Sequence, residues 1–372
     1  MSYKPIAVVG AGFSGAVVAQ QLADAGHNVH VFESRSHIGG NCHTERDSDT
    51  GIMAHVYGPH IFHTNNEEVW RYVNRYCSME AYVNRVKACV KGNIYSLPIN
   101  LHTLNQFFSR TFNPKEAQEF LLGIRDRAIT NPQNFEEQAL SMVGSELYEA
   151  FFKGYTQKQW GRDPRTLPAS ILKRLPLRFN YDDNYFSHRY QGIPREGYTV
   201  LVGRILDHKN ITTFLGQMYE KSLAQDYQHV FYSGPLDKYF DSSLGALAYR
   251  TLRFEKHTEV GDFQGCAVMN YCDSNFPFTR ISEHKYFAPW EQHEKTIYFK
   301  EFSSEAGGED IPFYPIGLAQ ENELLDRYQR LASAEEHITF LGRLGTYRYL
   351  DMDVTIAEAL ACAKSFLLKN RI

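Results

Sequence analysis

The sequence feature that most constrains the fold is a glycine-rich turn near the N-terminus. Residues 5–10 are almost entirely apolar and predict a short buried strand. Gly10-Ala-Gly12-Phe-Ser-Gly15 follows at once and opens a run with helical periodicity. Gly10 allows a tight turn, Gly12 lets the backbone approach a pyrophosphate, and Gly15 lets the helix pack closely on the strand. Because the helix N-terminus adds N–H donors and the positive end of a dipole, the pattern predicts a dinucleotide site.

A second predicted strand, residues 28–33, ends on Glu33, whose carboxylate can accept the hydroxyls of a ribose. Strand, glycines, helix, strand and terminal acid together favour a dinucleotide site over a glycine-rich turn in an ordinary α/β protein. A basic residue, Arg35, is followed shortly by Gly39-Gly40, which resembles the second nucleotide motif of flavoproteins in the glutathione-reductase and amine-oxidase group. No second G-x-G-x-x-G is present for a nicotinamide cofactor. We therefore predict FAD rather than NAD.

The composition excludes several classes of partner. The 372 residues include 39 Lys and Arg against 43 Asp and Glu, so no basic excess points to nucleic acid or to an anionic membrane surface. Glycines, Ser14 and two glutamines interrupt the apolar N-terminus, which argues against a signal peptide or a membrane span. Six scattered cysteines without a C-x-x-C pair argue against a zinc site and against disulfides. We expect a cytoplasmic protein that binds no metal.

The middle of the chain is predicted to be helical. Residues 101–161 show helical periodicity, and the side chains of Leu140, Val143, Leu147 and Phe151 are predicted to share one face of a helix. Acidic residues stand in the first turn of this helix, where they complement its dipole. The sequence therefore predicts a helical insertion into the α/β unit.

Other segments predict strands. Residues 176–200 and 250–302 are rich in Tyr, Phe and Thr with frequent alternation, as in antiparallel strands. Residues 227–235 and 338–345 are predicted to add strands to the first sheet, and a final helix follows. We predict an α/β fold with three parts: a discontinuous Rossmann-like FAD-binding domain (1–80, 203–245 and 330–372), a helical substrate or lid domain (101–175), and an antiparallel β-sheet domain (81–100, 176–202 and 246–329).

Several polar and aromatic segments have a composition that helix or strand propensity does not explain. They supply arginines for phosphates, tyrosine hydroxyls as further donors, and aromatic faces for a base or a sugar. Each segment alone is equally consistent with a surface loop, but together they indicate a cleft for an anionic, ring-bearing ligand beside the flavin. The residues are Tyr155, Trp160, Lys173, Arg174, Tyr185, Arg280, Tyr314, Arg343, Tyr347, Arg348 and Tyr349.

Two further segments could contribute to this cleft. The stretch between Pro168 and Pro176 is too short for more than two helical turns and could move as a lid. The motif Gly58-Pro-His60-Ile-Phe-His63 has two histidines that could contact the cofactor, although a single histidine more often has a structural role.

Longer motifs resemble those of bacterial UDP-galactopyranose mutases. They include VVGAGFSGAV, HIGGN, YGPHIFHT, LYEAFFKGYTQKQWG, LPASILKRLPLRFNYDDNYF, VFYSGPLD and GRLGTYRYLDMDVTIAEAL. These motifs run from residue 5 to about residue 362, so the resemblance covers essentially the whole chain. The blocks YGPHIFHT, KGYTQKQWG and GTYRYLDMD are far more specific than a shared dinucleotide-binding half.

The resemblance implies an activity that the composition does not. Members of this family interconvert UDP-galactopyranose and UDP-galactofuranose with FAD that must be reduced, yet no net electrons flow. N5 of the reduced flavin forms a covalent adduct with the anomeric carbon and displaces UDP. The sugar then opens through an iminium, recloses as a furanose and regains UDP. The resemblance also implies a homodimer and a role in the biosynthesis of galactofuranose and of cell-surface polysaccharide.

The resemblance assigns residues to each part of the site. It implies that Arg174 and Arg280 clamp the diphosphate and that His63 lies against the isoalloxazine, and these three are the implied catalytic residues. The implied substrate contacts are Asn84, Phe151, Tyr155, Thr156, Trp160, Arg174, Tyr185, Asn270, Arg280, Tyr314 and Tyr349. The implied cofactor contacts are Gly10, Gly12, Phe13, Ser14, Gly15, Glu33, Ser34, Gly40, Asn41, His60, Ile61, Arg343, Asp351, Met352, Asp353, Val354 and Thr355.

Three other interpretations share part of the pattern. A mutase of the same family acting on an N-acetylated or TDP-linked sugar would carry nearly the same motifs, because few contacts around His60 and Asn84 discriminate the hexose. An amine-oxidase-like flavin oxidoreductase would carry out a true two-electron oxidation, and its substrate would bleach the flavin. A non-catalytic nucleotide-sugar binding protein would be stabilised by UDP without FAD and without product formation.

Overall fold

The computed structural model describes residues 4–174, 177–308, 310–316 and 322–370. The strands are β1 (Ile6–Val9), β2 (Val29–Glu33), β3 (Thr44–Arg46), β4 (Met53–His55), β5 (Phe62–Thr64), β6 (Met79–Ala81), β7 (Val86–Val90), β8 (Asn93–Leu97), β9 (Tyr190–Pro194), β10 (Ile211–Leu215), β11 (Val230–Tyr232), β12 (Tyr249–Val260), β13 (Val268–Tyr271), β14 (Arg280–Glu283), β15 (Lys295–Glu305), β16 (Tyr314–Pro315) and β17 (Ile338–Phe340). The helices are α1 (Phe13–Asp24), α2 (Glu67–Asn74), α3 (Leu101–Phe108), α4 (Pro114–Ile124), α5 (Phe135–Leu147), α6 (Gly154–Trp160), α7 (Tyr198–Leu206), α8 (Leu236–Tyr239), α9 (Asn322–Ser333), α10 (Gly342–Gly345) and α11 (Met352–Lys369).

Five strands form a parallel sheet in the order β10-β2-β1-β11-β17. Ala7 on β1 lies opposite His30 on β2 and opposite Val230 on β11. The apolar side chains of β1, β2, α1, α7 and α11 bury one another in a common core cluster, so the sheet is covered by helices as parallel sheets require. The structure confirms four predicted strands of this sheet, which are β1, β2, β11 and β17. The fifth strand, β10, was not predicted.

A second, seven-stranded sheet has the order β16-β12-β15-β14-β13-β7-β8. Its neighbouring strands are antiparallel except β13 and β7, which run parallel. Strands β12 and β15 pair along almost their whole length, from Arg250 opposite Glu305 to Val260 opposite Lys295. The antiparallel strands predicted within residues 250–302 are therefore confirmed, and this sheet forms the floor of the site described below.

The helical segment differs in one respect from its prediction. Gly144 has a φ of +78° inside α5, so the helix breaks there and its two halves face different neighbours. Leu140 packs in a cluster with Phe135, while Val143 and Leu147 pack in another cluster, with Phe151. Leu140 and Val143 precede this break whereas Leu147 and Phe151 follow it, so the four side chains do not share one face of a continuous helix, and that prediction is wrong.

The prediction of antiparallel strands over residues 176–200 holds only for β9. Strand β9 pairs with β5 and β6 in a separate three-stranded sheet. Residues 198–200, at the end of that segment, begin α7 instead of a strand, because Leu201, Val202 and Ile205 recur with helical spacing and pack against α1. Helix α9 likewise falls in the predicted β-sheet segment, but its Tyr328 packs beside the α/β unit. The domain boundaries stay a prediction.

Candidate active site

The turn after β1 forms a backbone cradle at the N-terminus of α1. Gly10 has a φ of +100°, which residues with a side chain rarely adopt. A Cβ atom on Gly15 would lie 1.9 Å from the Gly10 carbonyl oxygen, and one on Gly12 would lie 3.7 Å from the Cα of Gly40. No side chain of the described residues caps the N-terminus of α1. Its first N–H groups therefore remain available to an anion such as a pyrophosphate.

Glu33 closes this cradle at the end of β2. Its buried carboxylate accepts hydrogen bonds from the backbone N–H groups of Ala11 and Arg35, each at 2.9 Å, and its remaining lone pairs can accept ribose hydroxyls. The Arg35 side chain donates through Nη2 to Oδ1 of Asn41 at 2.8 Å. Its Nη1 atom is buried without a hydrogen-bond partner among the described residues. An unpartnered guanidinium nitrogen at this position fits a polar group of a bound dinucleotide.

The second wall of the cradle comes from the C-terminal part of the chain. Gly342 has a φ of +73°, and a Cβ atom there would lie 2.5 Å from Oγ of Ser14. Arg343 donates to the carbonyl oxygens of Leu350 at 2.6 Å and of Phe313 at 3.3 Å. Helix α11 then begins and packs along α1. Residues near the two ends of the chain thus form one site.

The predicted cofactor residues accordingly lie in two groups. The first group is the glycine-rich turn with the end of β2 and the following loop, and it contains Gly10, Gly12, Ser14, Gly15, Glu33, Ser34, Gly40 and Asn41. The second is the start of α11, with Asp351, Met352, Asp353, Val354 and Thr355. The Phe13 side chain is buried in the core, with its ring centroid 6.2 Å from that of Tyr198, so only its backbone is available to a ligand.

His60 connects the cradle with the rest of the site. Its Nδ1 atom lies 2.9 Å from the carbonyl oxygen of Gly58, so Nδ1 carries the proton and Nε2 can only accept. Burial lowers the pKa of His60 to about 4; the Gly58 hydrogen bond opposes this shift, and Arg343 and Arg280 reinforce it. The imidazole is therefore neutral at pH 7 and lies near both guanidinium groups.

His63 lies on β5, on the side of the site where α11 begins. Its ring stacks on Phe186 with centroids 3.7 Å apart, and its Nδ1 atom is buried without a hydrogen-bond partner among the described residues. Burial lowers the pKa of His63, and the carboxylate of Asp351 opposes the shift. Ile61, between the two histidines, is buried in an apolar cluster. His63 can thus present a ring edge and an open nitrogen to a ligand.

A cavity of about 210 Å³ lies between the helical segment and the seven-stranded sheet. Six of the predicted substrate residues line it: Phe151, Tyr155, Thr156, Trp160, Tyr185 and Asn270. The rest of its wall was not predicted and is apolar: Leu97, Pro98, Ile99, Phe135, Met142, Val143, Phe152, Ile171, Leu172 and Leu177. In a sequence these side chains look like core residues, because the same residue types fill both environments.

Arg280 on β14 is held by a carboxylate on the neighbouring strand β15. Its Nε donates to Oε2 of Glu301 at 2.7 Å, and the Glu301 side chain is only 2% exposed. Burial disfavours the charge of Arg280, but the Glu301 carboxylate outweighs this and holds the pKa of Arg280 above its ordinary value. Within the described residues the two Nη groups make no hydrogen bond, so they can bind an anion. Glu301 was not predicted, since one acidic residue in a long strand has no special pattern.

Phenol groups surround Arg280. Burial raises the pKa of Tyr155, Tyr185 and Tyr314, in the last case to about 12, so all three are neutral at pH 7. Arg280 lies close enough to each of them to lower that pKa in part. A cation bordered by neutral hydroxyl groups is the arrangement expected of a phosphate site.

Tyr314 joins this phenol group to the aromatic cavity. Its hydroxyl accepts a hydrogen bond from the side-chain amide of Gln159. Its ring meets Trp160 edge-on, with centroids 5.7 Å apart, and Tyr349 with centroids 6.2 Å apart. The guanidinium of Arg343 lies over the Tyr349 ring, 4.8 Å from its centroid. These contacts make the cradle, the phenols and the cavity continuous.

Two predicted substrate residues carry buried acceptors. The Oδ1 atoms of Asn84 and Asn270 are both buried without a hydrogen-bond partner among the described residues, as expected of groups that await a ligand. Asn270 lines the cavity, whereas Asn84 is buried beside it and accepts through its backbone from the N–H of Tyr185 at 2.8 Å. The backbone of Arg174 ends a short 3₁₀ helix, and its side chain lies outside the described residues.

A further buried arginine, Arg250, was not predicted from the sequence. Arg250 on β12 is 2% exposed and donates to the Gln159 carbonyl oxygen at 3.1 Å and to Oγ of Ser303 at 2.9 Å. Burial lowers the pKa of Arg250, and its hydrogen-bond partners in the described part of the chain are neutral. A Cβ atom on Gly161 would lie 2.9 Å from its Nη1. The only sign of Arg250 in the sequence was a charged residue at a buried position of a strand.

Comparison with known proteins connects this geometry with a family. Residues 150–349 match the family model of UDP-galactopyranose mutase, and residues 8–76 match that of the NAD(P)-binding Rossmann-like domain. A Klebsiella pneumoniae protein described as a probable UDP-galactopyranose mutase is 59% identical, over 99% of this chain and 96% of its own length. A dTDP-fucopyranose mutase of Escherichia coli is 51% identical, over 98% of this chain and 99% of its own length.

A solved structure confirms the fold class. The crystal structure of a reduced UDP-galactopyranose mutase matches 99% of this chain and 95% of its own chain with a TM-score of 0.77, at 16% identity. The predicted α/β fold, a Rossmann-like domain with helical and antiparallel sheet parts, is therefore correct. Within the described ranges, no helix combines the length and the apolar character that a membrane crossing needs. The same residues contain no group of three or more His, Cys, Asp or Glu side chains that could hold a metal ion.

Proposed function

Because this chain belongs to the UDP-galactopyranose mutase family, we propose that it interconverts UDP-galactopyranose and UDP-galactofuranose without net transfer of electrons. The family model and the full-length relatives make it an enzyme of the isomerase type. The observation that carries the proposal is the position of His60. It lies close enough to Arg343 of the dinucleotide cradle and to Arg280 beside the aromatic cavity for both guanidinium groups to lower its pKa. Ring contacts join the same two parts, from Arg343 over the Tyr349 ring at 4.8 Å to Tyr314 and Trp160, so a cofactor and a nucleotide-sugar diphosphate would meet there.

The cradle fits a flavin dinucleotide. A side chain at Gly10 or Gly15 would clash with its neighbours, the Glu33 carboxylate has acceptors left for a ribose, and Arg35 has a buried nitrogen without a partner among the described residues. We propose that the cofactor is FAD and that the enzyme is active when FAD is reduced. Bound and reduced, the flavin would supply the nucleophile that displaces UDP from the anomeric carbon. Arg343 and the start of α11 would hold the cofactor together with the glycine-rich turn.

The chain's own residues would bind the substrate in two places. The apolar, aromatic cavity would take the uridine, with the Asn270 amide oxygen accepting from the base or ribose. Arg280 would bind the diphosphate with its two Nη groups, Arg174 would bind it from the short 3₁₀ helix, and the Tyr314 and Tyr349 hydroxyls would donate to it. When UDP leaves, charge concentrates on the β-phosphate, and a guanidinium fork held by Glu301 stabilises that charge and keeps UDP in place for its return.

His60 would have a different task. With Nδ1 bound to the Gly58 carbonyl and the ring neutral at pH 7, its Nε2 can accept a hydrogen bond from a sugar hydroxyl but cannot donate one. His63 would orient the cofactor, since its buried Nδ1 has no hydrogen-bond partner among the described residues and the residue lies near Asp351, where α11 begins.

One experiment tests this function directly. The dithionite-reduced enzyme is incubated with UDP-galactopyranose and UDP-galactofuranose, and the products are separated by chromatography. We expect interconversion in both directions with reduced enzyme and none with the oxidised, yellow enzyme. Equal conversion in both redox states would contradict the flavin role, and bleaching of the oxidised flavin by the sugar would indicate a net oxidation instead.

A second candidate substrate has a specific observation in its favour. The Escherichia coli relative at 51% identity is a dTDP-fucopyranose mutase, and it spans nearly the whole chain. The same incubation with dTDP-linked and N-acetylated sugars decides between the substrates through their kcat/KM values. We expect UDP-galactopyranose to be preferred, because the relative with the higher identity is described as a UDP-galactopyranose mutase.

The setting of the reaction is also a proposal. We propose that the protein is a cytoplasmic homodimer and that it supplies galactofuranose for cell-surface polysaccharide. We also propose that its domains are divided as predicted from the sequence. Support comes from the family membership and from a net charge of −4, which leaves no basic surface excess for nucleic acid. Sedimentation of the flavin-loaded protein tests the dimer, and loss of galactofuranose from the polysaccharide of a deletion strain tests the role.

A further inference from the structure

Helix α6 has two faces with different neighbours. Tyr155, Thr156 and Trp160 line the cavity. Gly154 and Lys158, which are four residues apart and so lie above one another on the helix, meet the turn between β13 and β14. The helix therefore stands between the cavity and this turn.

The turn between β13 and β14 is itself part of the site. It spans residues 272–279, with Asn270 near the end of β13 before it and Arg280 at the start of β14 after it. Asn270 contributes its side-chain amide to the cavity wall. Arg280 is the cation that the proposed function assigns to the diphosphate. A shift of the turn relative to α6 would therefore move Arg280 away from the cavity residues that α6 carries.

Lys158 ties the helix to the turn with three hydrogen bonds. Its Nζ donates to the carbonyl oxygens of Tyr271 at 2.6 Å, Asp273 at 2.8 Å and Phe278 at 3.1 Å. The three acceptors come from both ends of the turn, so a single ammonium group closes it. The Asp273 carboxylate is occupied elsewhere, because its Oδ2 accepts from the backbone N–H of Lys91 at 2.7 Å.

The helix also has no room to slide along the turn. A Cβ atom on Gly154 would lie 2.4 Å from the Cys272 carbonyl oxygen, so the two backbones are in close contact. Burial lowers the pKa of Lys158 to about 8, an effect that Cys272 and Asp273 oppose. The amine is thus mostly protonated at pH 7, and its three N–H groups match three carbonyl acceptors.

We propose that Lys158 is a positioning residue of the substrate site, which holds Tyr155, Thr156 and Trp160 in register with Asn270 and Arg280 by binding the carbonyl groups of the β13–β14 turn. The inference rests on the proposed function, because it assigns the two parts that Lys158 joins to the nucleoside and to the diphosphate of one ligand. Hydrogen bonds from a charged donor are among the stronger ones, and loss of Nζ would remove such a donor from three partly buried carbonyl groups at once.

The proposal predicts a specific kinetic pattern. The uridine is remote from the reacting anomeric carbon, so misplacing its pocket weakens substrate and transition state alike. Lys158→Met should raise the KM for UDP-galactopyranose and the dissociation constant of UDP about tenfold, or about 1.4 kcal/mol, with kcat nearly unchanged. A merely structural lysine would instead reduce the amount of active enzyme, which lowers kcat and leaves KM alone.

The experiment compares three variants as flavin-loaded proteins. UDP affinity is measured by titration calorimetry, KM and kcat with reduced enzyme, and flavin occupancy from the absorbance spectrum. Lys153→Met is the matched control, because Lys153 precedes the same helix and pairs only with exposed Glu149 in the described part of the chain. Lys158→Arg, which retains several charged donors, should recover most of the UDP affinity. The spectra of all three variants should match that of the wild type.

The outcomes separate the two proposals. Unchanged UDP affinity and unchanged KM in Lys158→Met, or equal losses in Lys153→Met, would overturn the role of Lys158. If Lys158→Met does not fold, Lys158→Gln, which lacks the charge and the third donor, is measured in the same way, and wild-type UDP affinity in that variant would equally overturn the role of Lys158. Turnover by the wild-type enzyme tests the proposed function. The ratio of the variant's UDP affinity to that of the wild type tests the positioning role of Lys158.

Discussion

Arg280 and Glu301 form an ion pair across neighbouring strands, with Nε of the arginine 2.7 Å from Oε2 of the glutamate. The two residues are direct partners in the register of β14 and β15. Because the glutamate engages Nε, and the two Nη groups make no hydrogen bond within the described residues, both Nη groups keep their donors for another acceptor. A carboxylate supplied by the sheet thus both neutralises and orients the cation that we assign to the diphosphate.

Glu301→Gln should destabilise the protein in the absence of ligand. It leaves the guanidinium without its counter-charge, at a cost of about 2 kcal/mol, which is less than for a fully buried pair because the Arg280 side chain is 29% exposed. Urea unfolding gives the difference in unfolding free energy. Saturating UDP should restore part of it, since its phosphates replace the missing charge. Glu259→Gln, an exposed change on β12, is the control and should be neutral; equal stability of the two variants would refute the pairing.

Arg280→Ala and Arg174→Ala should each lower kcat of the reduced enzyme about 10²-fold or more. Both variants remove a cation that stabilises the charge developing on the departing β-phosphate. Steady-state kinetics with UDP-galactopyranose measure the loss, and flavin absorbance shows that the cofactor remains. Arg330→Ala, an exposed change on α9, should have wild-type kinetics. Near-normal turnover in either site variant would remove that arginine from the mechanism.

Gly15→Ala should abolish flavin binding. The added Cβ would meet the Gly10 carbonyl oxygen at 1.9 Å and Val8 at 3.0 Å, so either β1 or α1 must move and the cradle opens. The variant should purify without yellow colour and unfold more readily by at least about 2 kcal/mol. Gly123→Ala in α4, where no atom lies within 4 Å of the new Cβ, should instead be neutral or slightly stabilising. A yellow Gly15→Ala protein would show that the close contact does not matter.

Buried histidines should make the protein sensitive to acid. Burial lowers the pKa of His284 to about 3 and of His60 to about 4, and it holds the pKa of His55 well below its usual 6.5. The unfolded chain therefore binds more protons than the folded protein below pH 6.5. Stability should fall as the pH drops from about 6.5 toward 4, by about 1 kcal/mol per histidine for each pH unit.

His284→Asn tests this origin of the pH dependence. Nδ1 of His284 accepts from the backbone N–H of His55 at 3.0 Å, and the asparagine Oδ1 can take that role without titrating. Urea unfolding at several pH values between about 7.5 and 5 should show, below pH 6.5, a slope that is smaller by about 1 kcal/mol per pH unit, which is the contribution of one histidine. His102→Asn, an exposed change, should leave the slope as it is. A wild-type slope in His284→Asn would assign the acid sensitivity to other groups.

Much of the fold could be predicted because it depends on local patterns. The apolar run of β1, the spacing of Gly10, Gly12 and Gly15, and the terminal acid Glu33 each have a local physical meaning, and the structure has the β-α-β unit that they predict. The errors also have local causes. Gly144 breaks α5 through its positive φ, and nothing near it in the sequence distinguishes it from a glycine that a helix tolerates.

The candidate site was predictable only where residue type reveals chemistry. Arginines, tyrosines and the tryptophan stood out, and six of the predicted residues line one cavity. The apolar wall of that cavity, from Leu97 to Leu177, was missed because apolar residues serve a pocket and a core alike. Glu301 and Lys158 were missed because their importance depends on partners far away in the sequence.

The sequence by itself determined the dinucleotide-binding unit, the preference for a flavin and the family, since these depend on steric requirements and motifs that adjacent residues satisfy together. Only the tertiary structure decided which residues meet. It brought His60 near enough to Arg343 and Arg280 for both to lower its pKa, paired Arg280 with Glu301, and joined α6 to the β13–β14 turn through Lys158. The physical reason is that burial and opposite charge act over a few ångströms in space, whatever the separation along the chain.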